Sequence, residues 1–117
     1  MDSVAIIIGA SWTFAALFIM ALAIPLILGR IGPNRLYGVR LPQAFQSEQA
    51  WYAINSFGGK RMIVWSVPVL LVGIASFFLR LQANTGLTLA LGFAPLLFVL
   101  MPAIESWRFA QKFPSQK

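Results

Sequence analysis

VAIIIGASWTFAALFIMALAIPLIL, residues 4–28, runs without a charge from Asp2 to Arg30. A helix needs roughly 20 apolar residues to cross the hydrocarbon core of a bilayer, so this stretch spans it with room for tilt. An isolated strand would leave its backbone groups unpaired in lipid, and only a helix satisfies them within the segment. The stretch lacks a basic leader and is longer than the apolar part of a cleaved signal, so it is expected to be retained as a helix.

Two further uncharged runs follow. Met62 to Leu79 lies between Arg61 and Arg80, and Leu81 to Ile104 closes at Glu105. In the second of these, Gln82, Asn84, Thr85 and Gly86 read as a lead-in turn. The predicted spans are therefore about 4–28, 62–79 and 87–104, joined by a loop over 29–61 and followed by a tail over 105–117. Composition agrees: 59% of the 117 residues are hydrophobic and 10% are charged. A soluble domain this small could not cover so much apolar surface, whereas lipid covers it. The expected fold is an all-α integral membrane domain of three transmembrane helices, occupying residues 1–117 as one unit.

Charge sets the expected direction. Arg30, Arg35, Arg40, Lys60 and Arg61 in the first loop join Arg108, Lys112 and Lys117 on one side, against Arg80 alone on the other. Cationic side chains stay in the cytoplasm, which puts the N-terminus outside and the loop and tail inside a bacterial inner membrane. The net charge of +6 then reads as topology and as contact with anionic headgroups, not as a nucleic-acid surface. Pro25, Pro68, Pro95 and Pro102 fall in or beside the spans, as kinks or as packing features.

The 29–61 loop is too long and too patterned for a plain connector. Pro42 biases Leu41 toward extended backbone, so no helix is expected before it. Ser47 is a fitting N-cap, and Glu48 sits favourably in the first turn of a short interfacial helix leading to the second span. Glu48, Trp51, Tyr52, Asn55 and Gly59 share one side of that helix at 100° per residue.

The run Asn34-x-x-Tyr37-Gly38-x-Arg40-x-Pro42, then Ser47-Glu48-x-x-Trp51-x-x-x-Asn55-x-x-x-Gly59-Lys60, resembles the signature of the SdpI family of small bacterial membrane proteins. The resemblance covers about a quarter of the chain. It implies a three-span unit whose founding relative gives immunity to a secreted toxin and signals by holding a repressor at the membrane. A peptide toxin or a cytoplasmic repressor protein is thus the implied partner. One position departs from the pattern: Leu41 stands where the family has Thr.

The signature residues carry open alternatives. Arg40 and Glu48 either shape a polar pocket with Asn55, or Arg40 reaches lipid phosphate and Glu48 only starts its helix. Trp51 serves either as an interface anchor or as a hub for the loop. Asn55 calls for hydrogen-bond partners, most simply between helices. Glu105 either meets Arg30 or Arg40 across the bundle or stands solvated beside Arg108. The chain has no His and no Cys, and no motif places a nucleophile beside a base. No catalysis, metal or cofactor is therefore expected. No ionisable residue sits in the middle of a span, which disfavours a coupled transporter. A small oligomeric transporter or channel, with the prolines as gates, and a structural subunit of a larger complex remain the alternatives to a binding protein.

Overall fold

The computed structural model describes residues 2–113. It contains three long helices, α1 (Ser3–Ile27), α2 (Glu48–Ser76) and α3 (Thr85–Ala110), and a short 3-10 helix, Pro42–Phe45, before α2. All three long helices have the length and hydropathy to cross a membrane. The fold is all-α and membrane-spanning in type, as the uncharged runs predict. Lys117 and the other residues of the tail beyond Phe113 lie outside the described residues.

Each of the three long helices starts on a polar cap. The Asp2 carboxylate accepts from the Ala5 amide, Ser47 Oγ from the Ala50 amide and Asn84 Oδ1 from the Leu87 amide, each at 3.0 Å. A helix leaves its first amides without internal partners, and these side chains supply one acceptor each. Asp2 does more: its second oxygen accepts from the Gln82 amide at 2.8 Å, tying the start of α1 to the α2–α3 turn.

Three boundaries differ from the sequence reading; one is α3, which already begins at Thr85, within the expected lead-in turn, and runs on to Ala110, past the expected span end at 104. The interfacial helix and the second span are one continuous helix, α2, from Glu48 to Ser76. Lys60 and Arg61 mark a change in polarity, yet nothing there interrupts the backbone ladder. The helix also ends at Ser76, with Phe77 to Leu79 forming a turn bonded to the carbonyls of Ile74, Ala75 and Ser76. Arg80 therefore marks where charge resumes, not where the helix stops.

α2 is the central element. α1 and α3 both pack along it and scarcely touch each other. The buried positions of α1 are small apart from Leu26 near its end, with Ala5, Gly9, Ala16 and Ala23 facing inward. Large side chains point outward: Phe14, Phe18, Leu71, Phe78, Phe93 and Leu97 are all exposed. This is the arrangement of a bundle solvated by lipid, in which small residues allow close approach and bulky ones meet acyl chains. At Gly73 a Cβ would stand 2.6 Å from the Thr13 amide nitrogen, and at Gly9 it would stand 2.9 Å from the Gly73 carbonyl oxygen. The α1–α2 crossing therefore depends on both glycines.

Candidate functional site

The signature residues converge at the end of the bundle where α1 hands over to the loop. Gly29, with φ of +69°, turns the chain out of α1. Asn34 then folds the next residues into a tight turn. Its Oδ1 accepts from the Leu36 amide at 2.9 Å and the Tyr37 amide at 2.6 Å, while its Nδ2 donates to the Gly32 carbonyl at 2.8 Å. A short polar side chain that bonds its own following backbone is well suited to such a turn. The Tyr37 hydroxyl donates to the Leu22 carbonyl of α1, anchoring the turn to the first helix.

The loop is clamped onto α2 by two buried side chains. Trp51 is 0% exposed, and its indole N–H donates to the Ile31 carbonyl at 2.8 Å. Asn55 is 1% exposed. Its Oδ1 accepts from the Val39 amide at 2.5 Å, and its Nδ2 donates to the Val39 carbonyl at 3.3 Å and the Trp51 carbonyl at 3.0 Å. One amide thus satisfies both backbone groups of Val39, as a neighbouring strand would. Gly38, with φ of +116°, makes the approach possible, since a Cβ there would lie 2.5 Å from Asn55 Oδ1. Below it, Trp51 and Ile54 join Ala44 and Ala110 in an apolar cluster, packed against Ile31, Val39 and Leu41. Leu41, at the position where a Thr was expected from the family pattern, faces this cluster, where an apolar side chain needs no partner.

The remaining signature positions have distinct places. Pro42 opens the 3-10 helix. Gly59 lets α2 approach α1, since a Cβ would stand 2.9 Å from the Ala23 carbonyl oxygen. Glu48 and Lys60 are exposed on α2. The Arg40 guanidinium donates to the Arg35 carbonyl, and among the described residues no ion pair joins it to Glu48. Of the two readings open for Arg40 and Glu48, the polar pocket shared with Asn55 is not assembled among the described residues. Asn55 is engaged by the loop backbone, and Glu48 stays in solvent at the helix start.

Glu105 pairs with neither Arg30 nor Arg40, and it does not stand solvated beside Arg108. Its carboxylate takes a bidentate bond from Arg61, Nε to Oε1 at 2.9 Å and Nη2 to Oε2 at 3.0 Å. The Trp65 indole N–H adds a third, at 2.6 Å to Oε1. Arg30 is exposed where α1 has already ended, so its side chain plays no part in this cluster. From sequence, Arg61 has only a topology role and neither it nor Trp65 stands out as a site residue, although their i, i+4 spacing puts them on one face of α2. Among the described residues no group of three His, Cys, Asp or Glu converges as a metal site would require.

The helices and loop leave an open groove of about 460 Å³ beside the clamp. Met62, Ser66 and Val69 of α2 form its floor, Val99, Pro102 and Ser106 of α3 one wall, and the Gly38–Leu41 segment its end.

The profile of the SdpI/YfhL protein family matches residues 30–103, from the loop through most of α3. No curated protein and no solved structure matches the chain. That span covers more than half of the sequence and includes the turn, the clamp and the Arg61 side of the ion pair. The chain belongs to the SdpI/YfhL protein family.

Proposed function

We propose that this protein is a non-catalytic binding protein of the bacterial inner membrane that gives immunity to a secreted toxin, signals through a cytoplasmic partner protein, or does both. The whole chain acts as one unit, with the N-terminus outside and the clamped loop and C-terminus in the cytoplasm. The excess of Lys and Arg at the loop end of the bundle supports that direction.

The observation that carries the reading is the clamp. A connector free to move would present no defined surface, and ordering it at binding would cost affinity. Here Trp51 and Asn55 hold the backbone of Ile31 and Val39, and the Asn34 turn projects Leu36 outward with 94% of its surface exposed. Arg35 and Arg40 flank it, both exposed. A protruding apolar residue between two cations is a compact recognition feature, pre-set by buried polar side chains behind it. Nothing in the loop provides a nucleophile with an adjacent base, so its chemistry is recognition.

The test is survival. Cells sensitive to the toxin neutralised by the founding family member are given this protein, wild type or with Asn55→Leu or Leu36→Ala. Protection by the wild type, lost in both variants at equal membrane abundance, is the expected result. Killing of cells carrying the wild type would remove immunity to that toxin from the account.

A further inference from the structure

We infer that the groove between α1 and α3 is a binding site for one anionic phospholipid, with its phosphate at Arg35 and Arg40 and one acyl chain along α2. The groove exists because both outer helices pack on α2 and diverge from each other. Met62, Ser66 and Val69, at i, i+4 and i+7, lay one face of α2 along its floor. Seven residues of helix rise make it about 10 Å long, a slot for part of an extended hydrocarbon chain. Ile19 of α1 and Phe98 of α3 add apolar surface on either side.

The two ends of the slot differ. The deep end is hydrocarbon in character, whereas the loop end carries Arg40. Arg40 also belongs to an adjoining depression that it shares with Arg35 and Phe45. The two hollows therefore share one residue, Arg40, with an apolar slot on one side and a pair of cations on the other. That polarity is the polarity of a phospholipid. The Arg40 contact with the Arg35 carbonyl uses one nitrogen, leaving its other donors for phosphate oxygens. At the same end Ser106, 2% exposed, also lines the groove, its hydroxyl buried against Gly58 of α2. A zwitterionic lipid would bring a cationic group to the same two arginines, so the site favours a headgroup with net negative charge.

The purified full chain, released from detergent in a native mass spectrometer, provides the test. Phosphatidylglycerol and phosphatidylcholine with identical chains serve as probes. One phosphatidylglycerol per chain is expected to persist, retained about tenfold better than phosphatidylcholine, with the preference lost in Arg35→Ala/Arg40→Ala. Ala103 is exposed within the groove, so Ala103→Phe fills the slot without disturbing a packed contact and is expected to abolish retention of both lipids. Helical circular dichroism of each variant should match the wild type. Equal retention of the two lipids, unsaturable addition of many lipids, or unchanged binding by Ala103→Phe would overturn the site. A lipid-free dimer in place of the lipid-bound monomer would do the same, since a second copy would then fill the slot.

Discussion

Asn55 and Val39 exchange two hydrogen bonds across sixteen residues of sequence, the side-chain amide of one closing both backbone groups of the other. This contact fixes the signature loop to α2, and it accounts for the neighbouring choices of Gly38 and Trp51. Removing the amide leaves a covered N–H and C=O without partners, each costing about 1–3 kcal/mol. Asn55→Leu, close in volume, is expected to lower stability by about 2 kcal/mol or more. Hydrogen exchange should locate the change at residues 31–41, with the interior of α1 still protected. Unchanged protection of the Val39 amide would refute the clamp.

Gly38→Ala tests the same contact from the loop side. A φ of +116° is strained for any residue with a Cβ, and that Cβ would meet Asn55 Oδ1 at 2.5 Å. A cost of about 1–3 kcal/mol is expected from the backbone alone. Gly92→Ala is the control, because nothing lies within 4 Å of a Cβ there. It should be neutral or slightly stabilising, as Ala is the better helix former.

The Arg61–Glu105 pair joins α2 to α3, and Trp65 adds a bond to the same carboxylate. Both charged side chains are part-exposed, 32% and 26%, so screening moderates their attraction. Glu105→Ala removes three acceptor contacts and is expected to cost about 1–3 kcal/mol. Arg30→Ala should change little. A double-mutant cycle over Arg61 and Glu105 should return a coupling energy, while one over Arg30 and Glu105 should return none.

Asp2 gives the fold a pH dependence at its other end. Desolvation raises its pKa, but the backbone amides of Gln82, Ala5, Leu81 and Val4 together outweigh this and hold the carboxyl below its ordinary 3.8. A folded pKa below the unfolded one means stability that is present above about pH 3.8 and lost as pH falls through the lower folded value. The Gln82 amide resonance should therefore titrate below pH 3.8 in the wild type and lose that titration in Asp2→Asn.

Most of the architecture is legible in the spacing of charges, and the exceptions share one cause. The gaps from Asp2 to Arg30, Arg61 to Arg80 and Arg80 to Glu105 mark three spans, because a charge in hydrocarbon is costly whatever the fold. Charges do not report backbone continuity. Lys60 and Arg61 lie inside α2, where a reading by polarity alone sees a boundary. The Glu105 partner was hidden for a related reason. Choosing Arg61 over Arg30 requires the rotation of α3 on α2, which is set by contacts such as Gly58 against Ser106. Trp51 near a predicted interface reads naturally as a membrane anchor. Its burial depends on the Ile31 carbonyl, which only the folded loop brings within reach. Asn55 was better signalled, since an amide beside a span needs partners. The sequence could not say that those partners are the backbone of Val39.

The direction of the bundle can be measured through single cysteines, because the chain has none of its own. Leu36→Cys at the tip of the clamped loop and Ala83→Cys in the α2–α3 turn are exposed to a membrane-impermeant maleimide on opposite sides of the bilayer. Whole cells should label Ala83→Cys at once, and Leu36→Cys only after the inner membrane is permeabilised. Labelling of Leu36→Cys in intact cells would contradict the three-span arrangement with its signature loop in the cytoplasm, and the proposed partner surface would fall with it.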